Sequence, residues 1–204
     1  MDLPNATTSL DGWTHALAQP TIAPAGGSAA ALAGAMAASL VTRVAGMTIE
    51  RPRYTAVHPE ARHIQADASR LRAALLTLAS DDAQLLADLS QALALPKGTE
   101  SERAERARRK QRALAEGARV QLEVARGAAA VAELGSRVAI LGPSSTVGDA
   151  SAAVFLAAAA ARSAYWAARL DTSSRETVTV GQDLLHRIEA AEHRVSRLLE
   201  ERLS

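Results

Sequence analysis

The chain has 204 residues, enough for one domain with its own core. Its apolar fraction of 48% and charged fraction of 22% are typical of a globular protein. A formal net charge of +1 gives no overall attraction to nucleic acid or to an anionic membrane. The lack of cysteine excludes disulfides, thiolate metal sites and a cysteine nucleophile. It is compatible with the cytoplasm, where we expect the protein to act.

The N-terminal half of the chain predicts helices separated by proline-containing breaks. A short helix is predicted from Ser9, as its cap, to Leu17. After a Pro/Gly loop, a second helix is predicted from Ser28 to about residue 48, followed by a turn around Pro52 and Pro59. Leucines and alanines at helical spacing then predict a long helix over residues 60–95.

The C-terminal half predicts three more helices. Thr99 and Glu102 have the spacing of a capping box, and helical pattern continues to about residue 140. Thr146 and Asp149 have the same cap spacing before a second Ala-rich helix over residues 150–170. The last helix is predicted over residues 175–203. With no linker or repeat, residues 1–204 are predicted to form a single all-α domain, a helical bundle with two Ala-rich central helices.

The two Ala-rich helices, residues 28–48 and 150–170, are the unusual feature of this pattern. Helices with so few large side chains are held by close backbone approach, so we expect them to pack on each other or on a symmetry mate. Residues 20–42 carry no formal charge, but small residues dominate them, and we predict no membrane span. The Arg-rich stretch over residues 103–112 lacks aromatics for base stacking, so no nucleic-acid partner is predicted.

Few residues are candidates for catalysis or ligand binding, and each of them also fits a purely structural role. The histidines are scattered and predict no metal site. Asp81 and Asp82 either face solvent or place one carboxyl inward, where burial would raise its pKa and suit acid–base catalysis. Asp149 fits the start of a helix, and the Gly26–Ser28 segment fits either a tight turn and cap or backbone N–H groups offered to a ligand.

These segments, taken in order, resemble one enzyme family. Pro24 to Ser28 with its Ala-rich helix, Arg51 to Tyr54, Asp82-Ala83, Leu95 to Lys97 and Gly142 to Ala150 together resemble the methenyltetrahydrofolate cyclohydrolase/formiminotetrahydrofolate cyclodeaminase family. The resemblance implies an all-α homodimer with a folate cleft near the dimer interface, a tetrahydrofolate derivative as substrate and no cofactor.

The resemblance also implies roles for individual residues. Asp82 falls on the position of the catalytic carboxylate, which would move a proton at the pterin nitrogens or activate water at the one-carbon bridge. The remaining matches imply substrate contacts: backbone contacts at the glycine loop, an aromatic and basic edge that meets the folate glutamate, and a helix start. These residues are Gly26, Gly27, Ser28, Arg51, Arg53, Tyr54, Lys97 and Asp149.

The chain differs from the usual family pattern at five positions. Ala25 replaces the first of three glycines, Leu86 an aromatic residue, Pro143 an asparagine, and Ala167 and Asp171 two asparagines that would offer donor and acceptor together. Three functions are therefore possible. The protein hydrolyses 5,10-methenyltetrahydrofolate, or releases ammonia from 5-formiminotetrahydrofolate, or is a non-catalytic member that binds folate or serves as an interaction module.

Overall fold

Six α-helices make up most of the computed structural model, which describes residues 3–172 and 174–203. Within these residues there is no strand, so the predicted all-α fold class is confirmed. Two short 3₁₀ helices, Pro52–Val57 and Ser144–Thr146, precede the third and fifth α-helices. The α-helices are α1 (Leu10–Leu17), α2 (Gly26–Ile49), α3 (His58–Ala94), α4 (Glu100–Leu141), α5 (Val147–Asp171) and α6 (Arg175–Leu203).

The two Ala-rich helices, α2 and α5, pack on each other, as the sequence predicts. Helix α2 also contacts α3 and α4, while α5 contacts both α4 and α6, which also contact each other. One connected apolar core runs through α2 to α6, and alanine supplies much of it. The alanines of α2 and α5 that are nearly inaccessible to solvent are Ala31, Ala37, Ala38, Ala45, Ala150, Ala153, Ala157, Ala158, Ala164 and Ala168.

Close approach of three helix backbones explains a glycine in the middle of α4. A Cβ on Gly135 would lie 2.9 Å from Cγ2 of Val154 on α5 and 3.5 Å from Cγ2 of Val41 on α2. The first of these separations is too short for an ordinary van der Waals contact, so Val154 or the helix that carries it would have to shift. Small residues therefore set the spacing of the central helices.

The predicted helix starts are confirmed at two positions and corrected at another. The Oγ of Ser9 accepts from the N–H of Gly12, and Thr99 forms the complete capping box, so both predicted caps are confirmed. The predicted start of the second helix at Ser28 is wrong, because α2 begins two residues earlier; Ser28 lies inside the helix, so the cap alternative for this residue is also wrong.

The predicted cap and third-position pairing of Thr146 and Asp149 is also wrong. The hydroxyl of Thr146 donates to the carbonyl of Pro143 and gives α5 no side-chain cap. Asp149 instead accepts from the Nε of Arg43 on α2 at 3.1 Å. In both corrected cases a side chain is used in a tertiary contact or in a 3₁₀ turn instead of a cap.

By length and hydropathy alone, two helical segments of the described chain could cross a membrane. Their mean hydropathies are 1.4 for Gly26–Ile49 and 1.2 for Ser144–Asp171. Core helices of soluble proteins meet the same criterion, and these two segments are the central helices of the bundle. The absence of a membrane span stays a prediction.

Candidate functional site

A cleft of about 430 Å³ opens at one end of the bundle. The first turn of α2, the C-terminal third of α3, the middle of α4 and the last turns of α5 form its walls. Its larger apolar lining residues are Leu85, Leu86, Leu89, Leu114, Trp166 and Leu170. Asp82, Gln121, Ser163 and Asp171 supply polar side chains, and the backbone at Gly26 and Gly27 completes the wall on the α2 side. The apolar walls and few polar groups are those of a site for a small organic molecule.

Asp82 faces inward at the base of this cleft, and its neighbour Asp81 faces solvent. The side chain of Asp82 is 5% exposed. Its Oδ2 accepts from the Ser28 hydroxyl at 2.7 Å, and its Oδ1 accepts from the side-chain amide of Gln121. Burial raises the pKa of Asp82, and these two hydrogen bonds offset part of that rise. The carboxyl is thus held in one orientation, with a proton affinity above that of an exposed aspartate.

Gln121, on α4, is a site residue that the sequence analysis missed. It is 3% exposed, and its Nε2 donates to Asp82 while its Oε1 has no hydrogen-bond partner among the described residues. A buried amide oxygen without a partner is uncommon in folded proteins. The sequence did contain a signal, because Gln121 stands between Val120 and Leu122 in the buried half of the helix.

The glycine loop is required by the closeness of α2 to this pair. A Cβ on Gly27 would lie 1.8 Å from the Nε2 of Gln121 and 2.5 Å from the Oδ1 of Asp82. A Cβ on Gly26 would meet nothing within 4 Å. Only glycine at position 27 therefore lets α2 approach the hydrogen-bonded pair.

Asp171 adds a second carboxyl to the cleft at the end of α5. Partial burial raises the pKa of Asp171, and the charge of Asp82 raises it further. Among the described residues that line the cleft there is no Lys, Arg or His. An ionised Asp82 or Asp171 therefore gives the cleft a negative potential that attracts a cationic ligand.

Four of the predicted substrate-binding residues lie at the opposite end of the bundle within one chain. Arg51, Arg53 and Tyr54 follow the end of α2, which is about 36 Å from its start at Gly26. The Arg53 guanidinium lies over the Tyr54 ring, 5.0 Å from its centroid. Asp149 lies near the start of α5, about 33 Å along the helix from Asp171. One chain therefore does not bring these four residues to the cleft of Asp82.

Lys97 lies in the exposed connection between α3 and α4, about 20 Å along α3 from Asp82. Of the eight residues predicted for substrate contacts, only Gly26, Gly27 and Ser28 lie beside Asp82 in one chain.

Most of the positions that differ from the family pattern do belong to the cleft. Ala25, Leu86, Ala167 and Asp171 all line it, whereas Pro143 precedes α5 at the opposite end of the bundle. The differences are therefore concentrated where they affect a ligand.

An apolar face on α5 and α2 lies beside the cleft and is open to solvent. On α5 the exposed positions recur every three or four residues along its whole length: Gly148, Ala152, Phe155, Ala159, Ser163, Trp166 and Leu170. On α2 the stripe is Ala29, Ala33, Met36, Leu40 and Met47, interrupted by the exposed Arg43, which is paired with Asp149. We call these two stripes the α2–α5 face. Trp166 is 56% exposed and Leu170 is 89% exposed, and both also line the cleft.

The described residues do not form a cluster of metal ligands. Across residues 3–172 and 174–203, no group of three or more His, Asp or Glu side chains is placed to hold a metal ion. The chemistry available in the cleft is proton transfer by a carboxyl held between a hydroxyl and an amide.

Comparison with known proteins gives consistent matches. A family model described as formiminotransferase-cyclodeaminase matches residues 9–190. The chain is 36% identical over 157 residues to methenyltetrahydrofolate cyclohydrolase of Methylorubrum extorquens, covering 77% of this chain and 74% of that protein. It is 33% identical over 118 residues to formimidoyltransferase-cyclodeaminase of Mus musculus, covering 58% of this chain and 22% of that protein.

A solved structure shares the fold over almost the whole chain. Formiminotetrahydrofolate cyclodeaminase of Thermotoga maritima superimposes with a TM-score of 0.82 and 24% identity, covering 97% of this chain and 98% of that one. At this identity the likeness establishes the arrangement of helices alone.

Proposed function

The chain belongs to the formiminotransferase-cyclodeaminase family, and we propose that it is a folate one-carbon enzyme that hydrolyses 5,10-methenyltetrahydrofolate to 10-formyltetrahydrofolate. The observation that carries this proposal is the cleft itself: apolar walls, two carboxyls and no lining cation among the described residues. The methenyl bridge between N5 and N10 is a cationic amidine on a flat ring system. Such a group matches a narrow apolar cleft of negative potential.

Asp82 is the group that we propose to carry out the proton transfer. Water adds to the bridge carbon, and the ionised carboxyl takes a proton from it as the new C–O bond forms. The N5–C bond then breaks as the carbonyl of the formyl group forms. Asp82 returns its proton to N5 and is ionised again, and the proton of the hydroxyl goes to solvent, which leaves the formyl group on N10. Because burial raises the pKa of Asp82, proton uptake by this carboxylate is easier than for an exposed aspartate. The reaction needs water and substrate, so we propose that no cofactor takes part.

Release of ammonia from 5-formiminotetrahydrofolate is the second candidate function. It is supported by the match to the mouse protein, whose name includes cyclodeaminase, although this chain spans about a fifth of that protein. N10 would add to the formimino carbon, and its proton would move to the departing nitrogen. The same carboxyl in its protonated form would donate a second proton to that nitrogen as ammonia leaves and the methenyl bridge forms.

We also propose that the protein is a homodimer whose second copy covers the α2–α5 face. Two helices, each about 36 Å long and about 10 Å wide, present roughly 700 Å². This area is close to the ~800 Å² that each partner buries in a standard stable interface. Because Trp166 and Leu170 belong both to this face and to the cleft, the second copy would close the open side of the cleft.

Antiparallel pairing of the two copies of α5 would account for the distant predicted residues. The start of α5 in one copy, with Asp149 and the nearby Arg51 to Tyr54 segment, would then approach the cleft end of the other copy. The dimer predicts a mass of twice 21.3 kDa in solution. Phe155→Glu, at an exposed site on the α2–α5 face, should give monomers, whereas Ile140→Glu, at an exposed site on α4, should not. Light scattering after size exclusion measures both, and a monomeric parent would contradict the dimer.

The test of the activity is an absorbance assay with two substrates. Loss of the methenyl absorbance faster than the uncatalysed rate supports hydrolysis. Appearance of that absorbance from 5-formiminotetrahydrofolate, together with ammonia, supports the cyclodeaminase instead. If neither change exceeds the uncatalysed rate, the enzyme proposal is wrong, and the non-catalytic hypothesis is then tested by calorimetry with a reduced folate.

A further inference from the structure

Within the described chain, the side-chain amide of Gln121 is hydrogen-bonded at its nitrogen and unpaired at its oxygen. Its Nε2 donates to Asp82, and its Oε1, on a side chain 3% exposed, has no hydrogen-bond partner among the described residues. Leaving a buried acceptor unpaired costs free energy. Gln121 also lines the cleft, but its Oε1 is closed off from solvent, so a water in the cleft meets this oxygen only after the side chain turns toward the cleft.

We propose that Gln121 is a positioning residue that acts on both Asp82 and the water it activates. Its N–H group orients the carboxyl of Asp82, and its Oε1 accepts a hydrogen bond from the O–H of the attacking water. This inference rests on the proposed hydrolysis. An amide suits the task because it donates and accepts at adjacent atoms and does not take up a proton at neutral pH. The proton of the water therefore goes to Asp82.

The geometry around Gln121 supports a dedicated contact instead of an incidental one. Glycine at position 27 leaves space for the amide, because a Cβ there would lie 1.8 Å from its Nε2. On its other oxygen, Asp82 accepts from the hydroxyl of Ser28, so both carboxyl oxygens are held from opposite sides by α2 and α4. A water bound to Gln121 Oε1 would lie beside a carboxyl whose orientation is already fixed.

Charged groups near Asp82 could also influence its pKa, and they must be separated from the effect of Gln121. Asp171 on α5 shares the cleft. Asp81 on α3 is exposed, and its charge acts on Arg119 of α4, which is itself paired with Glu116. The first turn of α2 carries no charged residue. Replacing the neutral Gln121 by another neutral residue therefore changes the hydrogen bonding of Asp82 and leaves these charges in place.

The experiment compares the parent with Gln121→Met and Gln121→Glu. Methionine keeps the length of the side chain and removes both the donor and the acceptor. We expect kcat for methenyltetrahydrofolate hydrolysis to fall roughly tenfold to a hundredfold with little change in KM, the loss expected for one hydrogen bond to a charged group. The acidic limb of the pH profile should move to higher pH, because Asp82 loses a donor that stabilises its ionised form.

Gln121→Glu is the second variant. Its expected pH profile differs from the one that a purely structural role of Gln121 would give. Two adjacent carboxyls share one proton, and in that state the glutamate still donates to Asp82 and still offers an acceptor oxygen. We therefore expect this variant to keep activity where the pair holds one proton, and to lose it in acid, where both carboxyls are protonated, and at alkaline pH, where both ionise. If either variant has the pH profile of the parent, the proposal is wrong.

A second measurement separates this inference from the proposed function. The titration of the Asp82 carboxyl, followed by carbon NMR in the parent and in Gln121→Met, needs no turnover. A higher Asp82 pKa in the variant supports the positioning role even if the parent proves inactive on methenyltetrahydrofolate. An unchanged pKa in a folded variant overturns the role.

Discussion

Gly27→Ala should disrupt the site directly, because its methyl group would occupy the space of the Gln121 amide. The built Cβ lies 1.8 Å from Gln121 Nε2, so that atom must move by more than about 1 Å to reach an ordinary contact. Asp82 Oδ1, at 2.5 Å, must move as well. The hydrogen bond between the two side chains cannot survive these shifts in its present geometry.

The expected loss of stability is that of overpacking a buried site, about 1–3 kcal/mol. For a domain of this size each kcal/mol lowers Tm by about 2–4 °C. Gly26→Ala is the matched control, because its Cβ meets nothing within 4 Å and no described glycine has a positive φ. We expect that control to have an unchanged or slightly raised Tm, by less than about 1 kcal/mol in free energy.

Thermal unfolding followed by circular dichroism measures both variants, and the methenyl absorbance assay measures the activity of Gly27→Ala. We expect Gly27→Ala to lose both stability and turnover. If it unfolds at the temperature of Gly26→Ala and hydrolyses substrate like the parent, then α2 does not constrain the Asp82–Gln121 pair as described.

Two further predictions concern stability. Gly181→Ala places a Cβ 1.8 Å from Cε2 of buried Tyr165 and should cost about 1–3 kcal/mol in denaturant unfolding. Because burial raises the pKa of Asp82 in the folded chain, its contribution to stability should fall as the pH rises through that folded-state pKa. Asp82→Asn removes this dependence, so its Tm should exceed that of the parent above this pKa, and the difference should shrink in acid. An equal Tm throughout would contradict a raised Asp82 pKa.

The sequence predicted those features that depend on neighbours along the chain. Helix spacing and the caps at Ser9 and Thr99 follow from residues within one turn. The site depends on longer separations, because Asp82 lies 54 residues from Ser28 and 39 residues from Gln121. Local spacing therefore assigned Ser28 to a cap and gave no reason to single out Gln121.

The inward orientation of Asp82 also could not be predicted from the local sequence. Adjacent mid-helix aspartates fit either orientation until the packing of α2 and α4 against α3 is known. The family resemblance named Asp82, and the packing shows why this carboxyl, and not that of Asp81, lies in the cleft. The segments around Arg51 and Asp149 matched by order along the chain, but order does not reveal that straight helices about 36 Å long separate them from the cleft.

The most direct test of the central claim compares Asp82→Asn with Asp81→Asn in the methenyl hydrolysis assay. The two residues are neighbours on α3, and their exposure differs: Asp82 is 5% exposed in the cleft, and Asp81 faces solvent. We expect Asp82→Asn to lose at least about a hundredfold in kcat, the usual contribution of general acid–base catalysis, while Asp81→Asn stays close to the parent. Hydrolysis by a folded Asp82→Asn variant at the rate of the parent would contradict the assignment of Asp82 as the catalytic base.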